Sequence, residues 1–156
     1  VVGYRAWEAW AVDGVVHLLS VTRRHEWLPG TSTRAECWCV GILLPSHKYA
    51  SPDEDGVLHT CGIYAWSMPI LMGVYPRGVV GEVLLWGRVR RHERGYRADF
   101  AKPGAFYVFP VMHQENRTLT ELASLQFGVP LVVVEPWWEI GPLRDDAPPI
   151  AGLYLS

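Results

Sequence analysis

The chain has 156 residues, of which 49% are hydrophobic and 19% charged, with a formal net charge of −2. That composition excludes a disordered chain. No run approaches the roughly 18 consecutive apolar residues of a membrane-spanning helix. The slight acidity also removes any bulk attraction to nucleic acid or an anionic membrane, so a partner of that kind needs a local basic patch. At 17.6 kDa a single domain over 1–156 is expected, large enough to bury most of the surface its unfolded form exposes. Three cysteines cannot all pair, and no charged, then apolar, then small-residue leader pattern precedes them. A disulfide scaffold is therefore disfavoured and a cytoplasmic location is expected.

Val2 to Val12 is rich in aromatic and β-branched residues, Asp13-Gly14 is a two-residue turn signal, and Val15 to Thr22 follows as a second run. Together they predict a β-hairpin. After a turn at Leu28-Pro29-Gly30, Thr33 to Leu44 reads as a strand region carrying Cys37 and Cys39. Pro45 to Thr60 has two Pro, one Gly and three acidic residues and no apolar periodicity, so it reads as a long loop that needs a reason to be ordered.

Val79 to His92 is the longest strand-like run, with Glu93-Arg94-Gly95 as a turn and Tyr96 to Ala101 as the returning partner. Ala105 to Met112 reads as a strand. Thr118-Leu-Thr-Glu121 has the form of a capping box opening a short helix, on which Leu119, Leu122 and Ala123 share a face and which Gly128 closes. A strand over Pro130 to Glu135 completes a strand-helix-strand unit, and 136–156, with four Pro, reads as a surface tail. The expected architecture is mainly β (α+β): a compact antiparallel barrel or sandwich over 1–104, stapled by zinc, and a strand-helix-strand extension with the Pro-rich tail over 105–156.

The staple is read from Cys37, His47, His59 and Cys61, spaced x9, x11 and x. Zinc takes four thiolate or imidazole donors at the corners of a tetrahedron, and a polar loop tied at both ends supplies them while metal binding offsets its ordering entropy. Cys39 is the rival ligand, because period-two alternation puts it on the strand face of Cys37. Four protein ligands predict a closed structural site. The plainer alternative is ordinary buried Cys and loop His.

Five Arg fall between Arg88 and Arg97, with His92 among them. On a strand Arg88, Arg90 and His92 project from one face, with Trp86 on the face of Arg88 and Arg97 on the returning strand. Such a basic β-ribbon can follow a phosphate backbone, with nearby aromatic rings for base stacking. The competing reading is a solvated hairpin whose charges discourage edge pairing.

Cys61-Gly-Ile-Tyr-Ala65, Gly81-Glu-Val-Leu-Leu-Trp-Gly-Arg-Val89 and His92-Glu-Arg-Gly-Tyr-Arg-Ala98, with the Gly3-Tyr-Arg-Ala-Trp7 start, resemble a family of small, uncharacterised actinobacterial proteins. The resemblance implies a recurring Cys, a His and a Cys-x-Cys-Gly-Ile-Tyr-Ala element, whose places Cys37, His47, His59 and Cys61 occupy. His59 stands where that family often has Cys, an exchange zinc accepts. No activity comes with the resemblance.

No nucleophile elbow, phosphate-cradling loop, zinc-protease helix or dinucleotide fingerprint is present, so no catalytic residue is assigned. The leading expectation is a zinc-stabilised, non-enzymatic module binding nucleic acid through Arg88, Arg90, His92, Arg97 and Trp86. The alternatives are a protein–protein adaptor or homo-oligomer using exposed Trp, including Trp137-Trp138, and a metal-dependent hydrolase with an open coordination position.

Overall fold

A computed structural model of the chain describes residues 1–21, 25–37, 44–45, 62–67, 78–110 and 112–134, with backbone pairing alone at 36–37 and 44–45. The first hairpin forms as expected. β1 (Val2–Val12) pairs antiparallel with β2 (Val15–Ser20) from Trp7↔Ser20 to Val12↔Val15. Asp13 and Gly14 both take positive φ, 50° and 78°, which matches the turn geometry that follows the twist of the flanking strands. Leu28 to Thr31 turns as predicted, with the Thr31 N–H donating to the Leu28 carbonyl.

β1 is long enough to serve several partners. On one edge Val2–Trp7 pairs with β8 (Val79–Trp86); on the other, Tyr4 pairs with Trp66 of β7 (Ile63–Trp66) before β2 takes over at Trp7. β3 (Glu26–Trp27) extends β2, and β4 (Thr33–Arg34) lies against the start of β11 (Phe100–Val108). The predicted strand over Thr33 to Leu44 is thus broken. β4 is followed by β5 (Glu36–Cys37), which pairs with β6 (Leu44–Pro45) as a separate small hairpin.

The predicted run Val79 to His92 is also interrupted. β8 ends at Trp86, Gly87 takes φ 80°, and β9 (Arg90–His92) begins afresh. β9 pairs with β10 (Gly95–Ala98) around the Glu93-Arg94 turn, and Asp99 separates β10 from β11. One long ribbon therefore bends where Gly87–Val89 faces Asp99. Its base lies beside β1, while its tip pairs with β7.

The hydrogen-bonded path runs from β12 (Leu131–Val133) through β11, β8, β1, β7 and β10 to β9, with β2, β3 and β4 off it. The sheet is mainly antiparallel and not closed, which corrects the expected barrel: among the described residues its two path ends, β12 and β9, do not pair with each other. β11 begins five residues earlier than the predicted strand at Ala105, and its register with β8 shifts between Pro103 and Ala105. That bulge accommodates a proline, which has no N–H for the ladder.

A single helix is present among the described residues, α1 (Gln114–Phe127), and β12 (Leu131–Val133) returns parallel to β11. The helix starts four residues before the predicted capping box. The Thr118 and Thr120 hydroxyls donate to the carbonyls of Gln114 and Asn116, one turn back, so both are interior helix residues. Gly128 closes the helix in the left-handed conformation, as predicted.

Period-two alternation sorts each strand into two faces. Trp7, Leu18, Trp27, Val79, Val83, Leu85 and Phe106 are buried with Leu119, Ala123 and Phe127 of α1, and Leu122 packs against this core. Trp7 meets Trp27 and Phe106 edge-on at 5.4 and 5.5 Å between ring centroids, a preferred arrangement for aromatic pairs. The Gln126 side chain both accepts from the Val16 N–H and donates to the Val16 carbonyl, at 2.8 and 2.7 Å. A helix amide thereby stands in for a neighbouring strand. No helix among the described residues is long and apolar enough to cross a membrane.

Candidate functional site

The face of the sheet turned away from α1 carries an unusual series of rings. Tyr4 stacks on Tyr107 at 6.4 Å, Trp10 on His17 at 5.4 Å, and Trp86 on Phe100 at 5.9 Å. Polar partners sit beside each pair. The Tyr107 hydroxyl donates to Glu82, His17 Nδ1 lies 2.6 Å from Glu26, and the Arg34 guanidinium covers Phe100 at 5.8 Å. Burial raises the Tyr107 phenol above its ordinary range, reinforced by the hydrogen bond to Glu82 and its charge. Burial and Glu82 raise Tyr4 as well.

The basic ribbon joins this face at its tip. Arg97 of β10 lies between Arg90 of β9 and Tyr64 of β7, and Gly95 lies between His92 and Trp66. Directly opposed residues share a face, so Arg90, His92, Arg97, Tyr64 and Trp66 point the same way. Tyr64 and Trp66 are 42% and 46% exposed. Tyr64 and His92 approach to 6.4 Å, tilted by 30°.

Two glycines make this arrangement possible. A Cβ at Gly95 would come within 2.1 Å of the Ala65 carbonyl oxygen, so only glycine lets β7 and β10 approach this closely. Gly62, at φ 131°, leaves the space taken by the Arg97 stem, whose Cγ is 2.4 Å from where a Cβ would stand.

Of the residues predicted to bind, Arg90, His92 and Arg97 are therefore brought together. Arg88 is not among them: its backbone N–H and its Nε both donate to Asp99 Oδ2, at 3.1 and 3.2 Å, pinning the bend. Trp86 stays on the outer face but beyond the bend, against Phe100. Tyr64, Trp66, Phe100 and Arg34 were not anticipated as site residues. Alternation through Ile63-Tyr-Ala-Trp66, small or apolar inward and aromatic outward, was the available signal.

Beside this face lies a cavity of about 250 Å³, lined by Arg5, Ala6, Val21, Tyr64, Ala65, Trp66, His92, Arg94, Gly95 and Tyr96. It occupies the gap where the edge of β1 passes from β7 at Tyr4 to β2 at Trp7. Arg5 Nη1 donates to the Tyr64 carbonyl across that gap.

Cys39, His47, His59 and Cys61 lie outside the described residues, and of Cys37 only the backbone, opposite Leu44, is described. Trp38, Trp137, Trp138 and the Pro-rich tail also lie outside. Among the described residues no three His, Cys, Asp or Glu side chains cluster to hold a metal ion. No family model, curated protein or solved structure matches this chain, so the chemistry of its own side chains carries the functional argument.

Proposed function

We propose that the chain is a non-enzymatic module that binds single-stranded nucleic acid across the outer face of β7, β10 and β9. The observation that carries this reading is the register that puts Arg90, Arg97 and His92 in one patch with the exposed rings of Tyr64 and Trp66. Guanidinium groups pair with backbone phosphates, and open rings stack on bases without regard to sequence. A single strand suits the chain better than a duplex. Stacking needs unpaired bases, and a net charge of −2 gives little of the general attraction on which duplex binding depends.

In this reading a structural zinc held by Cys37, His47, His59 and Cys61, with Cys39 as the rival ligand, orders the segment leading into β7. The pairing of Cys37 with Leu44 supports it, because His47 then follows the partner of Cys37 by only three residues.

Fluorescence anisotropy with a labelled twelve-nucleotide single strand and the matching duplex tests the proposal. Binding of the single strand in preference to the duplex, weakened about tenfold by Tyr64→Ala or Trp66→Ala, is the expected result. Equal affinity for both, or none for either, refutes it.

A further inference from the structure

The outer face of the ribbon does not end at Arg97. β10 passes through Asp99 directly into β11, so Gly95 to Lys102 is one continuous run of backbone. Register fixes what flanks it. Gly95 has His92 and Trp66 opposite, Arg97 has Arg90 and Tyr64, Phe100 has Trp86 and Arg34, and Lys102 has Leu84. Tyr4 pairs with Trp66 on one edge of β1 and with Glu82 on the other, so Trp66 and, by alternation along β8, Leu84 and Trp86 turn outward together.

Past the bend the same face again carries rings beside cations. Trp86 and Phe100 stack at 5.9 Å with 13° between their planes, and the Arg34 guanidinium lies 5.8 Å from the Phe100 centroid. Trp86 is 39% exposed, and Lys102, the next outward residue on β11, is exposed as well. The one carboxylate of the run, Asp99, accepts from both the backbone N–H and the Nε of Arg88, so a cation offsets its charge where the two halves meet. Aromatic side chains with cations beside them offer both contacts that a nucleotide makes, one to the base and one to the phosphate.

We infer that the bound strand continues past the bend, with a base against Trp86 and a phosphate at Lys102. The inference rests on the proposed single-strand binding and extends its footprint from β7, β10 and β9 onto β8 and β11. At about 3.3 Å per residue the seven steps from Gly95 to Lys102 span at most about 23 Å, a length of several nucleotides. Glu82, the outward residue after Leu84 on β8, sets the far limit, because its carboxylate repels phosphate.

The test measures affinity for the labelled twelve-nucleotide single strand at several salt concentrations. It compares the full wild-type chain with Trp86→Ala, Trp86→Phe and Lys102→Gln, and circular dichroism reports the fold of each. Lys102→Gln alters an exposed side chain, so it decides the matter even if Trp86→Ala does not fold.

The expected result is that Trp86→Ala binds about tenfold more weakly with an unchanged salt slope, while Trp86→Phe keeps most of the affinity. Lys102→Gln lowers the slope of log affinity against log salt by about 0.7. An unchanged slope in Lys102→Gln overturns the inference, and so does a folded Trp86→Ala of wild-type affinity or a Trp86→Phe as weak as Trp86→Ala. If the Trp86 and Lys102 variants bind as the wild type does while Tyr64→Ala is weakened, the proposed function stands without this extension. A wild-type chain that binds no strand at all refutes both.

Discussion

Arg90 and Arg97 stand directly opposite one another across β9 and β10, with Tyr64 as the next residue over on β7. Two guanidinium groups at directly opposed positions can both contact one phosphate. If a phosphate occupies this position, each of Arg90→Gln and Arg97→Gln lowers the slope of log affinity against log salt by about 0.7. Arg88→Gln serves as the contrast: its side chain is committed to Asp99, so the slope should hold while stability falls by no more than about 1 kcal/mol. Titration of a labelled single strand at several salt concentrations, with a urea melt of each variant, checks both statements.

Tyr107 donates its hydroxyl to Glu82, and burial together with that carboxylate raises its pKa. A phenol with a raised folded-state pKa stabilises the fold fully below the unfolded value of about 10, and this contribution is lost as pH rises through the folded value. Alkaline unfolding should therefore steepen above about pH 10. Tyr107→Phe should flatten that loss. Denaturation midpoints from pH 8 to 12, with tyrosinate absorbance followed in parallel, are the measurement; identical profiles for the two proteins would contradict it.

His113 occupies the N-cap of α1 with extended dihedrals, φ −57° and ψ 143°, yet makes no side-chain cap hydrogen bond. Serine or aspartate there can accept from the open N–H groups of the first turn. His113→Ser should raise stability by about 0.5–1 kcal/mol, seen as a higher urea midpoint with an unchanged slope. Strand affinity should not change, because α1 packs on the opposite face of the sheet.

Zinc is the remaining prediction. Protein purified without added metal should contain equimolar zinc, retained in Cys39→Ser and lost in Cys37→Ser, His59→Ala and Cys61→Ala. Removing zinc with a chelator should lower the melting temperature. Wild-type protein with no equimolar metal would eliminate the ligand set, and loss of zinc in Cys39→Ser with retention in Cys37→Ser would exchange the two cysteines.

Much of the fold was readable wherever the governing physics is local. Asp13-Gly14 dictates its hairpin because both positions accept positive φ, Gly128 ends α1 for the same reason, and runs of strand-forming residues mark β1 and β8. The β9–β10 turn at Glu93-Arg94 was equally plain. The start of α1 was misplaced because a threonine hydroxyl that caps a helix and one that bonds back to the preceding turn have the same sequence pattern.

What the sequence by itself determined is therefore a set of strands, turns and one helix, together with Arg90, His92 and Arg97 as neighbours on a ribbon. Tertiary structure alone decided what stands beside them. Tyr64 and Trp66 reach the ribbon through pairing across some thirty residues, Asp99 removes Arg88 from the patch, and β1 changes partners between Tyr4 and Trp7 to open the cavity. Local dihedral preferences and period-two alternation fix which way a side chain faces within its own strand. Which strand lies next to it depends on burial shared by the whole core, around Trp7, Trp27 and Phe106, and that has no local signature in the chain.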